Sequence, residues 1–265
     1  MEITPKPERI LLADEDFVYG VNIDAYPNIT RLKSTGNFAV MTLEEAQEQY
    51  DIARIGTSDE DLLVLNPYSN RYWSINESDL QDKFISDKAI AIKRACELFG
   101  AHCCILKEKV VEAEEKKRDI HAGGKYNGSK SAGGDVNINN NKKHSVNLSN
   151  EISFLNLNTP IASPSEIEKH LHQTGLVSNG TFKGFLDDLY MGRKLGGCQH
   201  IRVRFLRELQ EALGVALKLD ALKIINIAID YKSTSSKVHE FEKELWVYFD
   251  EVPQETQNMF NAGLI

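Results

Sequence analysis

The residues of this chain that could do chemistry occur as short clusters of carboxylates, histidines, cysteines and glycines. The carboxylates are Asp14, Glu15 and Asp16 near the N-terminus and the pair Asp187 and Asp188. Clustered acids can transfer protons or bind metal ions when they are buried together. Adjacent residues on a helix diverge by about 100°, so Asp187 and Asp188 do not converge naturally. We interpret both clusters as solvated surface, and no catalytic residue is predicted.

A metal site would need the distant residues His102, Cys103, Cys104 and His200 to come together. Structural zinc sites normally have paired ligands at short, fixed spacing, which these residues lack. Neighbouring Cys103 and Cys104 would also point to opposite faces of a strand. We therefore predict no metal. The four cysteines are predicted to be buried free thiols: Cys96, Cys103, Cys104 and Cys198.

Two glycine pairs, Gly123–Gly124 and Gly133–Gly134, raise the question of a phosphate-binding loop. The chain contains no GxxxxGK[ST] motif, and no strand-to-helix transition follows these glycines. A phosphate loop needs amides that converge at the start of a helix. No nucleotide or other cofactor is predicted.

The charge balance limits the partners of this protein. A net charge of −8 and an isoelectric point near 5.5 argue against broad nucleic-acid binding, which needs a basic surface. No apolar run approaches the roughly 20 residues of a membrane-spanning helix, and the first residues lack a secretory signal, so we expect a cytoplasmic protein. The basic clusters lie on either side of a glycine-rich segment that begins at Gly123. Lys116, Lys117 and Arg118 come before it, and Lys142 and Lys143 follow its glycines.

The first hundred residues have the pattern of a small α+β unit. Apolar runs at 10–12 and 17–21 predict strands, and two runs within 62–75 predict a hairpin. A capping box formed by Thr42 and Glu45 predicts a helix there. A second helix is predicted with Ser86 as its cap and Gly100 just after its end.

The segment between Gly123 and Asn147 is either a linker between domains or the tip of a long hairpin. The first flank, from Cys103 to His121, is β-prone up to Val111, whereas its second half has good helix propensity. The second flank, from Val136 to Phe154, ends in a run that alternates apolar and polar residues. Matching arms favour the hairpin, because a linker would not require them. Protease should then nick the tip while the two pieces stay together.

The second half of the chain predicts helices, a strand and another hairpin. The helices are expected from Ser163 to Gly175, over Phe182–Arg193 and over 206–217, with a strand over Ile201–Phe205. Alternating residues predict the hairpin, with arms over 222–231 and 237–249. The predicted fold is α+β: a compact antiparallel sheet with flanking helices and two long β-hairpins. We divide it into an N-terminal unit, 1–100, and a long-hairpin domain, 101–265, with a helical insert at 160–197; one continuous domain is the alternative.

The region from Phe185 to Phe249 contains FLDDLYMGRKLGG, HIRVRF, a predicted helix and the two arms LKIINIAIDY and VHEFEKELWVYF. In this pattern it resembles a class of bacterial host-defence proteins that are similar in plan to gasdermin-like and MACPF-like pore formers. Their plan is a compact α+β body with long hairpins. The resemblance implies regulated oligomerisation and engagement of a membrane or vesicle in defence against phage. The glycine-turn signature of MACPF proteins is absent here.

Three functions therefore follow as expectations. The first is a non-enzymatic homo-oligomer in antiphage defence that engages a membrane surface through its hairpins. The second is a soluble sensor or scaffold that self-assembles or recruits a second protein through hairpin edges. The third is an enzyme that uses Asp187, His200 or the cysteine pair. The hairpin residues predicted to make contacts are Lys116, Lys117, Arg118, Lys142, Lys143, Ile225, Ile227, Ile229, Tyr231, Phe241, Trp246 and Phe249.

Overall fold

The computed structural model of the protein contains helices and two β-sheets. This content confirms the α+β class. The model describes residues 6–54, 60–77, 79–107, 152–221 and 241–263. Within these ranges, no helix has the length and apolar character needed to cross a lipid bilayer.

The first sheet is mixed and has the strand order β2-β1-β4-β5-β3. Its strands are β1 (Arg9–Leu12), β2 (Phe38–Met41), β3 (Ile52–Arg54), β4 (Asp61–Asn66) and β5 (Arg71–Ser74). Strands β4 and β5 form the predicted hairpin, in antiparallel register with Asn66 opposite Arg71. The outer pairs, β1 with β2 and β3 with β5, are parallel. The predicted hairpin thus lies inside a larger sheet.

The second sheet is antiparallel throughout and has the order β7-β6-β9-β8. Its strands are β6 (Cys103–Lys107), β7 (Phe154–Leu155), β8 (Cys198–Phe205) and β9 (Phe241–Tyr248). Strands β6 and β7 are the inner ends of the two predicted arms of the first hairpin, and they pair as antiparallel neighbours. The rest of those arms, the glycine-rich segment and the first arm of the second hairpin lie outside the described residues.

The described residues contain eight α-helices. They are α1 (Glu15–Asn22), α2 (Pro27–Lys33), α3 (Leu43–Gln49), α4 (Leu80–Leu98), α5 (Pro164–Gln173), α6 (Gly180–Tyr190), α7 (Arg207–Ala221) and α8 (Gln254–Asn261). The capping box at α3 is confirmed: the Glu45 amide donates to Thr42 Oγ1 at 3.2 Å, and the Thr42 amide donates to Glu45 Oε2 at 3.0 Å. Ser163 caps α5 in the predicted way.

Two predictions about the N-terminal elements are wrong. The run 17–21 lies in α1 and not in a strand, because the Asp14 carboxylate accepts a 2.7 Å hydrogen bond from the Phe17 amide and caps a helix there. Helix α4 begins at Leu80, six residues before the predicted cap at Ser86. Leu80 and Phe84 are one turn apart and both buried, so the apolar face of α4 extends back beyond Ser86.

Helix α4 is the central element of the main hydrophobic core. Ten of its residues are buried, far more than a surface helix would bury on one face. The same cluster contains side chains from both sheets, such as Leu62 of β4 and Leu245 of β9. Side chains from both sides of residue 100 therefore share this core; the division of the chain at that point stays a prediction.

Gly100 ends the α4 region as predicted, in the left-handed conformation with φ of +79°. Backbone conformation and steric contact both exclude a side chain at this position. A Cβ atom at this position would be strained by the backbone, and it would also lie 2.5 Å from Ile161 Cγ1. The glycine thus lets the segment before α5 approach the end of α4.

We expect Gly214→Ala to stabilise the protein by about 0.5–1 kcal/mol, because glycine is the less favourable residue inside a helix. Gly214 lies in the interior of α7, and an added Cβ would meet no atom within 4 Å from the described residues outside its own helical turns. The measurement is the free energy of unfolding in urea. Gly100→Ala is the contrasting variant and should destabilise; a loss of stability in both variants would contradict the assignment of open space at Gly214.

Asp61 should make stability depend on pH, because burial raises the pKa of its carboxyl. A group whose folded-state pKa is raised contributes stability below its unfolded pKa of about 3.9, and that contribution is lost as the pH rises through the folded value. Asp61→Asn should therefore stabilise the protein at neutral pH, and the gain should shrink below about pH 4. The measurement is the unfolding midpoint across pH.

The matched control for this pH series is Asp51→Asn. The Asp51 carboxylate is exposed and pairs with Arg71 at 2.9 Å, so its loss should cost under about 1 kcal/mol at neutral pH. A stability gain from Asp61→Asn that is the same at acid and neutral pH would contradict the burial argument.

Candidate anion-binding site

A cavity of about 540 Å³ lies where elements of both sheets meet. It is lined by the β4–β5 turn, by α4, by the turn that leads into α6, by β8 and by the starts of α7 and β9. The cavity is therefore built from segments that are far apart in the chain. Its lining is unusual for this acidic protein because four cationic side chains and only two carboxylates contribute to it.

Lys88 is the most deeply placed of the four cations. It lies on the apolar face of α4, one turn after Phe84 and one turn before Ile92, and its side chain is only 9% exposed. Its Nζ atom lies 4.8 Å from the ring centroid of Tyr68 and 5.8 Å from that of Phe205. Aromatic faces attract a cation without neutralising its charge. They hold the ammonium group at the cavity.

Glu208, in the first turn of α7, is the anion nearest to this lysine. Lys88 Nζ donates to Glu208 Oε1 at 3.2 Å and lies 3.5 Å from Oε2. The Tyr68 hydroxyl donates to the same Oε1 at 2.7 Å. Burial, with the neighbouring Glu208 carboxylate, raises the pKa of the Tyr68 phenol well above its usual range. Tyr68 is therefore a hydrogen-bond donor at neutral pH.

The position of Tyr68 is set by the turn between β4 and β5. Buried Asn66 accepts a hydrogen bond from the Tyr68 amide at 3.1 Å and donates to Asp87 Oδ2 of α4 at 2.9 Å. This pair of bonds ties the turn to the helix that carries Lys88. Gly175 packs on the other side of the turn, where a Cβ would lie 3.3 Å from Pro67.

Three arginines lie nearer the solvent than Lys88 does. Arg202 and Arg204 alternate with buried Val203 on β8, so both point to the solvent side of that strand. Arg204 pairs with Glu242 at 3.2 Å, and Arg207 pairs with Glu211 at 3.0 Å. Arg202 forms no ion pair with any described residue. Its guanidinium is thus the cation at this cavity with the least local compensation in the part of the chain that is described.

The N-terminus of α6 forms another wall of the cavity. The Asn179 side chain caps this helix by accepting from the amides of Thr181 and Phe182 at 3.0 and 3.5 Å. The amide ends of helices carry partial positive charge and attract anions. At Gly180 an added Cβ would meet no atom within 4 Å from the described residues outside its own helical turn, so this side of the first helical residue is open.

The cations and the amide end of α6 make the cavity suited to an anion with several oxygen atoms. Arginine matches the geometry of phosphate and carboxylate groups through its planar set of donors. Metal binding has no such basis: the described residues contain no group of three or more His, Cys, Asp or Glu that could hold a metal ion.

The residues predicted from the sequence as contact sites lie elsewhere. Nine of them fall outside the described residues: Lys116, Lys117, Arg118, Lys142, Lys143, Ile225, Ile227, Ile229 and Tyr231. Phe241 begins β9. Trp246 lies on the outer face of the second sheet, where its ring stacks on His200 at 4.2 Å. Phe249 is buried and packs edge-on against Phe185 at 5.4 Å.

The cysteines divide into three buried thiols and one exposed thiol. Cys103 and Cys104 face opposite sides of the second sheet, as predicted, and join different hydrophobic clusters. Burial raises the pKa of Cys103 to about 12, so its thiol is unreactive at neutral pH. Cys198 is exposed, contrary to the prediction, because it lies at the start of β8 before the strand's buried positions begin.

The sequence prediction did not identify any of the cavity's charged residues. One signal was present: Lys88 interrupts an apolar helical face, and lysine is almost never buried without a partner. A second signal was the alternation of Arg202 and Arg204 with apolar residues, followed by Arg207. Neither pattern indicates its partner, since Glu208 is 120 residues from Lys88 in the chain.

No known protein family model, curated protein or solved structure matches this chain.

We expect Lys88 and Glu208 to be coupled by about 1–3 kcal/mol in a double-mutant cycle with Lys88→Met and Glu208→Gln. Breaking one partner of a nearly buried pair leaves a charge without compensation. The measurement is the free energy of unfolding of the wild type, both single variants and the double variant. The surface pair Arg207 and Glu211 is the control and should couple by under about 0.5 kcal/mol. Equal coupling in the two pairs would refute a special role for Lys88.

Proposed function

We propose that this protein binds a small molecule carrying a phosphate group in the cavity between its two sheets, and that it works as a ligand-binding module. The observation that carries this proposal is the concentration of four cations, with the amide end of α6, around one cavity of about 540 Å³. That volume is within the usual range for small-molecule sites.

The charge of the whole chain makes this concentration informative. A net charge of −8 repels anions at long range, so a cation-rich cavity in such a chain opposes the overall field. Lys88 also lies on a helical face where an apolar residue would pack at no electrostatic cost. A ligand that pairs with these cations is a physical reason for both features.

A binding role fits the cavity better than a catalytic one. The pKa of the Tyr68 phenol is raised, so the phenol stays protonated at neutral pH and cannot take a proton from a substrate as a general base. Lys88 Nζ already donates to Glu208 and is held in that ion pair. The arrangement supplies donors that hold an anion in place. This agrees with the sensor alternative among the functions expected from the sequence.

Assembly into a homo-oligomer, membrane engagement and antiphage defence stay predictions. They rest on the resemblance to hairpin-bearing host-defence proteins and on hairpins of which the structure describes only β6, β7 and β9. Ligand binding and hairpin-mediated assembly are compatible, because a sensor needs both a ligand site and an output surface.

The test of the proposal is isothermal titration calorimetry of the purified full-length chain with methyl phosphate. We expect saturable binding that weakens at high salt, since charge pairing supplies part of the affinity. Arg202→Gln should weaken binding about tenfold, which corresponds to about 1.4 kcal/mol, by removing the cation that has no ion pair among the described residues. Gly180→Ala should also weaken it by placing a methyl group at the open helix end.

Two controls match these variants in chemistry. Arg193→Gln removes an exposed arginine beyond the other end of α6, and Gly184→Ala adds a methyl group to an exposed position in the same helix. Neither residue lines the cavity, so neither change should alter the affinity. Binding that is lost equally in all four variants, or absent from the wild type and its variants, would overturn the proposal.

A further inference from the structure

We infer that Glu208 determines ligand specificity at this cavity by acting as an internal anion, which a ligand must displace from Lys88, so that doubly charged phosphate monoesters are selected over singly charged anions. This inference rests on the proposed function. It adds the class of ligand and names the residue that selects it.

Lys88 requires an anion at all times. Its side chain is only 9% exposed, and a nearly buried ammonium group is costly unless a negative charge lies beside it. The rings of Tyr68 and Phe205 hold the ammonium group but carry no net charge. The carboxylate of Glu208 supplies a negative charge beside this ammonium group.

The contact between Lys88 and Glu208 has the features of an exchangeable pair. Its distances of 3.2 and 3.5 Å are longer than the roughly 2.7–2.9 Å of a strong charge-assisted hydrogen bond. Glu208 is 33% exposed at its side chain, so its carboxylate has solvent beside it. Because Glu208 is in the first turn of α7, its charge remains favourable there after it leaves Lys88.

A ligand that displaces the Glu208 carboxylate from Lys88 has to supply more negative charge than the carboxylate did. A singly charged anion replaces one negative charge by another and gains little. A phosphate monoester carries about −1.5 to −2 near neutral pH, so it compensates Lys88 and one of the arginines at the same time. The second charge offsets the separation of Glu208 from Lys88. The expected selectivity is therefore one of charge and not of size.

The experiment compares methyl phosphate with dimethyl phosphate, which are similar in size but differ by about one charge at neutral pH. Both are titrated by calorimetry into wild-type protein and into Glu208→Gln. The wild type should prefer methyl phosphate by at least about tenfold. Glu208→Gln should bind dimethyl phosphate at least about tenfold more tightly than the wild type does, and its preference for methyl phosphate should shrink.

The control is Glu97→Gln, which makes the same charge change at a glutamate that is also 33% exposed and pairs with Arg94 at 3.3 Å, where neither residue lines the cavity. It should leave the preference unchanged. Equal effects of the two variants would show a general charge effect and overturn the inference. Weaker binding of both ligands by Glu208→Gln would also overturn it, since Glu208 would then be a ligand contact.

A second variant separates a specific effect on ligand preference from an effect of misfolding. Glu208→Asp keeps the charge but shortens the side chain by one methylene, so it should shift the preference in the same direction as Glu208→Gln and by less. Circular dichroism and thermal unfolding confirm that each variant is folded. If the wild type binds both ligands equally, the selectivity inference fails and the proposed function stands. If no variant binds either ligand, both fail.

Discussion

A lysine ammonium that is almost withdrawn from water has to be paired, and the pairing of Lys88 connects the main parts of this protein. Its partner Glu208 is 120 residues away, and Tyr68, which donates to the same carboxylate, is 140 residues from Glu208. These contacts join the turn of the first sheet, the central helix α4 and the start of α7. The ion pair between Lys88 and Glu208 therefore forms when both halves of the chain are folded together.

The electrostatic character of the cavity follows from this requirement. Because α4 is buried on most sides, the charged end of Lys88 can reach only the edge of the core, which is where β8, α6 and α7 converge. Those elements add three arginines and a helix amide end to the same place. Cationic side chains are therefore concentrated around one cavity of an acidic protein. Three carboxylates pair with three of these cations, and Arg202 is the one that forms no ion pair with a described residue.

Local patterns predicted many of the elements that build this site. The capping box at Thr42, the Ser163 cap with Pro164 and the left-handed Gly100 each act within a few residues, so the sequence contains the whole interaction. The errors arose where two local patterns compete. In 17–21 the apolar run suits a strand as well as a helix, and the Asp14 cap selects the helix. Neighbouring core residues extend α4 back to Leu80.

The candidate site could not be predicted in the same way, because its contacts depend on the approach of distant segments. The sequence by itself determined the α+β class, several helix caps, the alternation along β8 and the presence of a lysine on an apolar helical face. Only the tertiary structure decided that Glu208 and Tyr68 meet that lysine, and that Arg202 and the start of α6 share its cavity. Helix caps and periodicity are governed by neighbours along the chain, whereas the pairing of a buried charge is governed by neighbours in space.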